Sequence, residues 1–169
     1  MGKENIKICV WVRPFAPHEK GQDCIVSMEG NKVTLTNPDD GKTDDYRYNR
    51  CFWSHDNENG RSIFTNQDLF ESVGKEILGN AWDGFNATVF AYGQTGSGKS
   101  YSVEGSSSDP GLLQQMCEEI FKRKAEHEAK GEGNTLKVTV SYLEIYNEKL
   151  KDLLDADAGK TLKIYATKK

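Results

Sequence analysis

The chain has 169 residues, a hydrophobic fraction of 36% and a formal net charge of −4. That makes one ordinary domain, or most of one, with apolar material for a single core. The acidic balance speaks against a dedicated nucleic-acid binder, whose face is basic, and no apolar run approaches the roughly 18 residues of a membrane span, so neither nucleic-acid binding nor membrane insertion is expected.

Met1–Asn5 leads into no apolar signal region, and residue 6 is Ile6 rather than the Ser or Thr of a myristoylation pattern, so a cytoplasmic location is expected. Ile6, Ile8, Val10 and Val12 alternate with Lys7, Cys9, Trp11 and Arg13, which predicts a strand ended by Pro14. Cys24–Met28 and Lys32–Thr36 flank Glu29-Gly30-Asn31 and predict a hairpin. Asn37–Asp45 reads as a polar loop, Tyr46–Trp53 as a further strand, and His55–Arg61 as polar connection. Leu69, Phe70, Val73, Ile77 and Leu78 recur at helical spacing, with Thr65 or Asn66 as the cap and Gly79 as the stop. Ala87–Tyr92 is a short apolar, partly β-branched run and predicts a buried strand.

Directly after it, Gly93–Ser100 spells G-Q-T-G-S-G-K-S, a complete G-x-x-x-x-G-K-[S/T] phosphate loop. Glycines at 93, 96 and 98 permit turns with positive φ, so that successive N–H groups, those of Gln94, Thr95 and Ser97 among them, converge on a phosphate. Lys99 can then reach the β- and γ-phosphates, and the Ser100 hydroxyl can ligate Mg²⁺. Ser100–Glu104 allows one or two helical turns before Gly105. A Gly/Ser-rich turn with an incidental lysine would leave both the strand before the motif and the helix after it unexplained. An unrelated phosphate-loop enzyme, such as a GTPase or a small-molecule kinase, is the weakest reading; a GTPase should show a guanine-binding N-K-x-D, and the nearest match, Asn31-Lys32-Val33-Thr34, lacks the aspartate.

Gly105–Asp109 reads as a small polar loop. A second helix starts near Pro110, with Leu112, Leu113, Met116, Ile120 and Phe121 on its buried face and a charged end over Lys122–Lys130, before Gly131-Glu132-Gly133 breaks it. Leu136–Tyr146 is predicted as the longest strand, Asn147–Leu154 as a short helix, Asp155–Gly159 as a turn and Thr161–Ala166 as a final strand. Cys9, Cys24, Cys51 and Cys117 are scattered without C-x-x-C or metal spacing and read as reduced packing residues. Strands alternating with helices around a phosphate loop imply an α/β sheet covered on both faces.

Three stretches together resemble the kinesin motor domain: Ile6–Phe15 (I-K-I-C-V-W-V-R-P-F), Phe90–Gly105 (F-A-Y-G-Q-T-G-S-G-K-S-Y-S-V-E-G) and Val140–Leu154 (V-S-Y-L-E-I-Y-N-E-K-L-K-D-L-L). Phe52-Trp53-Ser54-His55 and the G-S-G-K-S-Y spelling are most similar to the third, vesicle-transporting kinesin subfamily. The resemblance covers nearly all of this chain and the first half of such a domain. It implies a P-loop NTPase-type central mixed β-sheet flanked by helices, incomplete here, with residues 1–169 as its N-terminal nucleotide-binding part.

The resemblance further implies ATP or ADP with Mg²⁺ as ligands, wrapped by Gln94–Ser100, and microtubules as the partner, hence a cytoskeletal location. The adenine would lie against Trp11, Arg13, Pro14 and Tyr101. Trp11 stands where the family usually has arginine; an indole can still stack on a base, or the residue is a half-buried strand aromatic. Tyr101 is likewise either a base contact or a helix-face packing residue. Gly111-Leu112-Leu113-Gln114-Gln115 lacks the proline and arginine of the usual G-x-x-P-R, and Tyr48-Asn49-Arg50-Cys51 lacks the family's aspartate.

The family's switch segments, N-x-x-S-S-R and D-x-A-G-x-E, are not spelled in these residues, and Leu153-Leu154-Asp155 is too short to supply a Mg²⁺-associated aspartate. Nucleotide binding with poor hydrolysis is therefore expected, and catalytic residues are not assigned. Ala87–Tyr92 would lack its neighbouring strand and present an apolar edge, so either the chain is a fragment or truncated product, the favoured expectation, or another polypeptide completes the sheet. Between Lys149 and Lys169 six lysines face Asp152, Asp155 and Asp157. This modest positive tail either attracts acidic tubulin or is simply solvated. The alternative to a motor is a non-catalytic nucleotide-binding or structural remnant.

Overall fold

The computed structural model describes residues 6–55, 63–131, 135–155 and 162–165. They fall into two compact units, within Met1–Arg123 and within Lys124–Lys169.

The first unit is built on a parallel pair, β1 (Cys9–Val12) and β5 (Arg50–Trp53), in register from Cys9 opposite Arg50 to Val12 opposite Trp53. Between them in sequence runs an antiparallel meander of β2 (Val26–Glu29), β3 (Lys32–Thr36) and β4 (Thr43–Arg47). The predicted hairpin is therefore present. The loop expected over Asn37–Asp45 instead supplies part of β4, because Thr43–Arg47 forms a full ladder with Lys32–Thr36. Tyr46–Trp53 is split between β4 and β5, which belong to different sheets.

Side chains alternate across the parallel pair, so it is covered on both faces, as parallel strands require. On one face Phe52 is buried with Leu69, Phe70, Leu78 and Leu112, and Trp11, Val73, Met116 and Ile120 pack against that group. On the other, Cys51 and Trp53 are buried with Met28 and Val33 of the meander.

The helical side begins at Thr65, whose hydroxyl accepts from the Asp68 N–H while the Asp68 carboxylate accepts from the Thr65 N–H, closing a capping box. Helix α1 (Asn66–Leu69) continues through a π-helical segment, Phe70–Gly74, into α2 (Lys75–Trp82). Gly79 does not stop the helix; it lies inside α2, with open space where a Cβ would go. Gly74 is there for a different reason. A Cβ on it would sit 2.5 Å from a Phe70 ring carbon and 2.9 Å from Leu112, so its absence lets α4 (Leu112–Ala129) approach. Along α4, Leu112 is buried, but Leu113 (46%) and Phe121 (57%) are exposed. The predicted apolar face was too wide because residues 113 and 121 fall outside the stripe that Leu112, Met116 and Ile120 present to the core.

Residues 87–92 were expected to form a strand. They form none: a strand needs a neighbour for its N–H and C=O groups, and none pairs with them among the described residues. Phe90 (81%) and Tyr92 (94%) are accordingly exposed.

In the second unit, Leu136–Tyr146 is a strand only at its end, β6 (Leu143–Tyr146), paired with β7 (Lys149–Asp152). The helix expected over Asn147–Leu154 is overturned. Asn147 and Glu148 take positive φ values of 47° and 62°, the signature of a two-residue hairpin turn. Of the expected final strand, residues 162–165 show no regular structure, and Thr161 and Ala166 lie outside the described residues, as do most of Asp155–Gly159 and residues 132–133 of the expected helix breaker. The four cysteines are free; Cys51 alone is buried, Cys117 is half-buried, and Cys9 and Cys24 are exposed rather than packed.

Candidate functional site

Gly93, Gly96 and Gly98 carry φ values of 158°, 80° and 102°. Gly96 and Gly98 thus occupy the left-handed region that the motif's spelling demands. Gly93 makes room for Ser97: a Cβ there would meet the Ser97 Oγ at 2.4 Å and its Cβ at 3.1 Å, so that side chain would have to turn aside. The loop closes on itself where the Ser97 N–H donates to the Gln94 carbonyl at 3.1 Å. Helix α3 (Lys99–Val103) follows at once, with Gly98 as its N-cap. It ends before Gly105, as expected.

The Lys99 ammonium donates to the carbonyl oxygens of Gly93 and Gln94, both at 2.8 Å. Its charge is thereby held against the first turn of the loop. Ser100, the second residue of α3, is exposed, and Thr95 lies exposed in the turn.

The loop is tied to β1 by Arg13, whose Nε donates to the Gly96 carbonyl at 2.8 Å. The remaining guanidinium nitrogens donate to Glu19 at 2.7 and 2.8 Å and to the Pro14 carbonyl at 2.6 Å. Trp11 packs elsewhere: its ring lies on Phe52 with centroids 5.5 Å apart and planes tilted by 34°. Tyr101 is 45% exposed, and its hydroxyl donates to the Asp109 carboxylate, which pushes the phenol's pKa up. The structure thus brings Arg13 to the phosphate loop, leaves Pro14 exposed beside it in sequence, places Tyr101 within α3, and turns Trp11 toward the core.

Three supporting residues escaped the sequence reading. Asn66 is fully buried and its Nδ2 donates to the carbonyls of Tyr101 and Asp109, both at 3.2 Å, joining α1 to α3. Asp109 holds Tyr101. Glu19 holds Arg13 and also accepts from the Ala16 N–H at 2.7 Å. Only Glu19 left a trace in the sequence, three residues after Ala16 with Pro17 between them, as a short capped turn would have it.

These contacts keep the Glu19 carboxylate at about 2 against an ordinary 4.5, chiefly through the Arg13 guanidinium and then the Ala16 N–H. A depressed folded-state pKa contributes stability that is present above the unfolded value and is lost as pH falls through the folded one. The stability difference between wild type and Glu19→Gln should therefore hold constant above about pH 5 and shrink steadily toward pH 2. Melting temperatures recorded across that range check it; a difference that does not change with pH refutes it.

The kinesin motor-domain family model matches residues 11–169. The chain belongs to the kinesin motor-domain family. Among its relatives are the human Kinesin-like protein KIF13B, 42% identical over 97% of this chain and 10% of the relative, and human KIF1C, 35% identical over 97% and 15%. Kinesin-related protein 1 of Dictyostelium discoideum is 41% identical over 93% of the chain and 8% of the relative. The KIF1 and KIF13 types are the subfamily to which the Phe52–His55 and Gly96–Tyr101 stretches pointed.

Among solved structures, KIF14 bound to ADP and a microtubule superposes with a TM-score of 0.75 at 31% identity, covering 95% of this chain and 44% of that one. A KIF14 dimer with AMP-PNP on a microtubule gives 0.79 at 30% identity, covering 94% and 44%. This kinesin-family chain therefore has the motor-domain α/β fold over the part it spans. The subfamily stretch has a packing role in it. The His55 ring stacks edge-on against Phe15 at 4.4 Å and Trp53 at 5.5 Å, and the Ser54 N–H donates to Val12, prolonging the β1–β5 pair.

Proposed function

We propose that this chain is the nucleotide-holding part of a microtubule motor head, taking ATP or ADP together with Mg²⁺. The observation that carries the reading is the Gly93–Ser100 loop: left-handed glycines, a Cβ-free cradle at Gly93 and a lysine ammonium held against its first turn. Lys99 would meet the terminal phosphates, as a point charge reaching past backbone amides does. Ser100 would give its hydroxyl to Mg²⁺. Among the described residues no group of three His, Cys, Asp or Glu could hold a metal by itself, so the ion would complete its shell from phosphate oxygens and water, as Mg²⁺ prefers. The exposed Tyr101 ring, with Pro14, would take the base side, while Arg13 is committed to the loop backbone and Trp11 to the core.

ADP, AMP-PNP and microtubules accompany the KIF14 structures that share this fold, which supports tubulin as the partner and a cytoplasmic, cytoskeletal setting. Among the described residues no helix is long and apolar enough to cross a membrane. We also read the exposed apolar run at Val89, Phe90 and Tyr92 as a strand awaiting a neighbour, supplied by a further chain segment or a partner chain.

The test is a titration of the 169-residue chain with a fluorescent ADP in Mg²⁺, followed by steady-state ATP turnover with and without microtubules. Saturable ADP binding with negligible stimulated turnover is expected, since neither switch string is present in these residues. A folded chain that binds no ADP would overturn the nucleotide reading. Brisk microtubule-stimulated turnover would overturn the expected poor hydrolysis.

A further inference from the structure

A phosphate loop works only if its amide hydrogens point inward together. A trans peptide is planar, so a carbonyl pinned on one side fixes the next N–H on the other. In this loop the pinned carbonyl is that of Gly96, held by the Arg13 Nε at 2.8 Å, and the N–H it orients is that of Ser97, which is directed back across the loop onto Gln94. Gly96 itself sits in the left-handed region at φ 80°, a conformation that persists where its surroundings hold it.

Arg13 in turn does not choose its own position. Its guanidinium is engaged at both Nη atoms by the two Glu19 oxygens, at 2.7 and 2.8 Å, in the paired geometry that gives arginine–carboxylate contacts their directionality. Glu19 is fixed by the Ala16 N–H in the 3₁₀ turn Pro17–Glu19. Arg13 and Glu19 are only 27% and 22% exposed at the side chain, so the pair is partly screened from solvent.

We propose that Glu19 is a positioning residue for the nucleotide site, holding Arg13 so that the Gly96 carbonyl stays pinned, the Ser97 N–H keeps the Gln94–Ser97 turn closed, and the loop keeps the shape a phosphate needs. It touches no ligand; it acts through Arg13. The inference rests on the reading of Gly93–Ser100 as a phosphate site, and it deepens that reading by assigning Arg13 to the loop backbone.

The test uses the full chain as wild type, Glu19→Gln, Glu19→Ala, Arg13→Lys and the double variant Glu19→Ala/Arg13→Lys. Two quantities are measured: amide hydrogen exchange at Ser97 in ligand-free protein, and affinity for Mg²⁺·ADP and for inorganic tripolyphosphate. Each single variant should lose protection at Ser97 and bind both ligands about three- to tenfold more weakly. The double variant should be no worse than the poorer single one, because all interrupt one chain of contacts. A purely structural role for the pair would lower the melting temperature without singling out Ser97 or tripolyphosphate.

Unchanged Ser97 exchange in the isosteric Glu19→Gln variant, which is the least disruptive to folding, overturns the proposal. So does unaltered or tighter tripolyphosphate binding by variants of a wild type that binds. Wild type that binds neither ligand overturns the nucleotide reading instead, while the exchange measurement still decides whether Glu19 orders the loop.

Discussion

Replacing Lys99 with alanine should abolish measurable nucleotide binding by this chain while leaving its fold intact. The ammonium lies against the first turn of the loop, held by the Gly93 and Gln94 carbonyls, and those two oxygens are replaceable by water at little cost once the side chain is gone. A phosphate is different. Each charge-assisted contact to it contributes on the order of 1.5–3 kcal/mol, so losing two lowers affinity by at least about a hundredfold. Titration of wild type and Lys99→Ala with ADP, beside their melting curves, decides the matter. Equal affinities would show that the lysine is incidental to the loop; a collapsed melting curve would show that it holds the fold rather than the ligand.

The second large effect concerns stability. Gly105 and Gly111 close the small loop between α3 and α4, where Gly105 bridges Pro110 and the Gly111 N–H donates to the Glu104 carbonyl at 3.1 Å. A Cβ at Gly111 would stand 2.4 Å from the Glu104 carbonyl carbon and 2.4 Å from the Val103 oxygen. One at Gly105 would stand 2.1 Å from the Gly111 nitrogen, at a φ of 83° that disfavours a side chain in any case. These neighbours are backbone atoms, which cannot rotate away. Gly111→Ala should therefore cost about 3–5 kcal/mol, at the far end of single substitutions, a large fraction of the roughly 5–15 kcal/mol of an ordinary domain. Urea unfolding of Gly111→Ala against Gly79→Ala, whose added methyl meets nothing within 4 Å, is the comparison. Similar midpoints for the two would mean that the closure yields readily.

What could be read without coordinates follows from how local the cause is. The phosphate loop was legible because each glycine answers a local backbone need, and the structure puts two of them in the left-handed region. The capping box at Thr65 and Asp68 and the meander turn at Gly30 (φ 56°) are local in the same sense. Helix α4 was legible in place but not in face, since Leu113 and Phe121 show the same apolarity as Leu112.

Asn147–Leu154 was misread because Glu-Lys-Leu-Lys-Asp-Leu-Leu favours a helix by propensity, whereas the ladder from Leu143 opposite Asp152 to Tyr146 opposite Lys149 outweighs it. The reading of Ala87–Tyr92 as a strand assumed a neighbour that composition cannot supply. Arg13 resembled a base contact by position, and only its distances to Gly96 and Glu19 give it another partner.

By itself, then, the string of residues determined the family, the phosphate loop and the places of β3, α3, α4 and the start of α1, because those depend on backbone conformations that a few neighbouring residues dictate. Tertiary structure decided which strands pair, that Trp11 turns to the core, and that Glu19, Asn66 and Asp109 brace the loop and the helix behind it. Those outcomes depend on contacts between residues tens of positions apart, such as Arg13 with Gly96 or Asn66 with Asp109. Local preference carries no record of such pairs; they are set by which surfaces exclude water and which buried polar groups find partners.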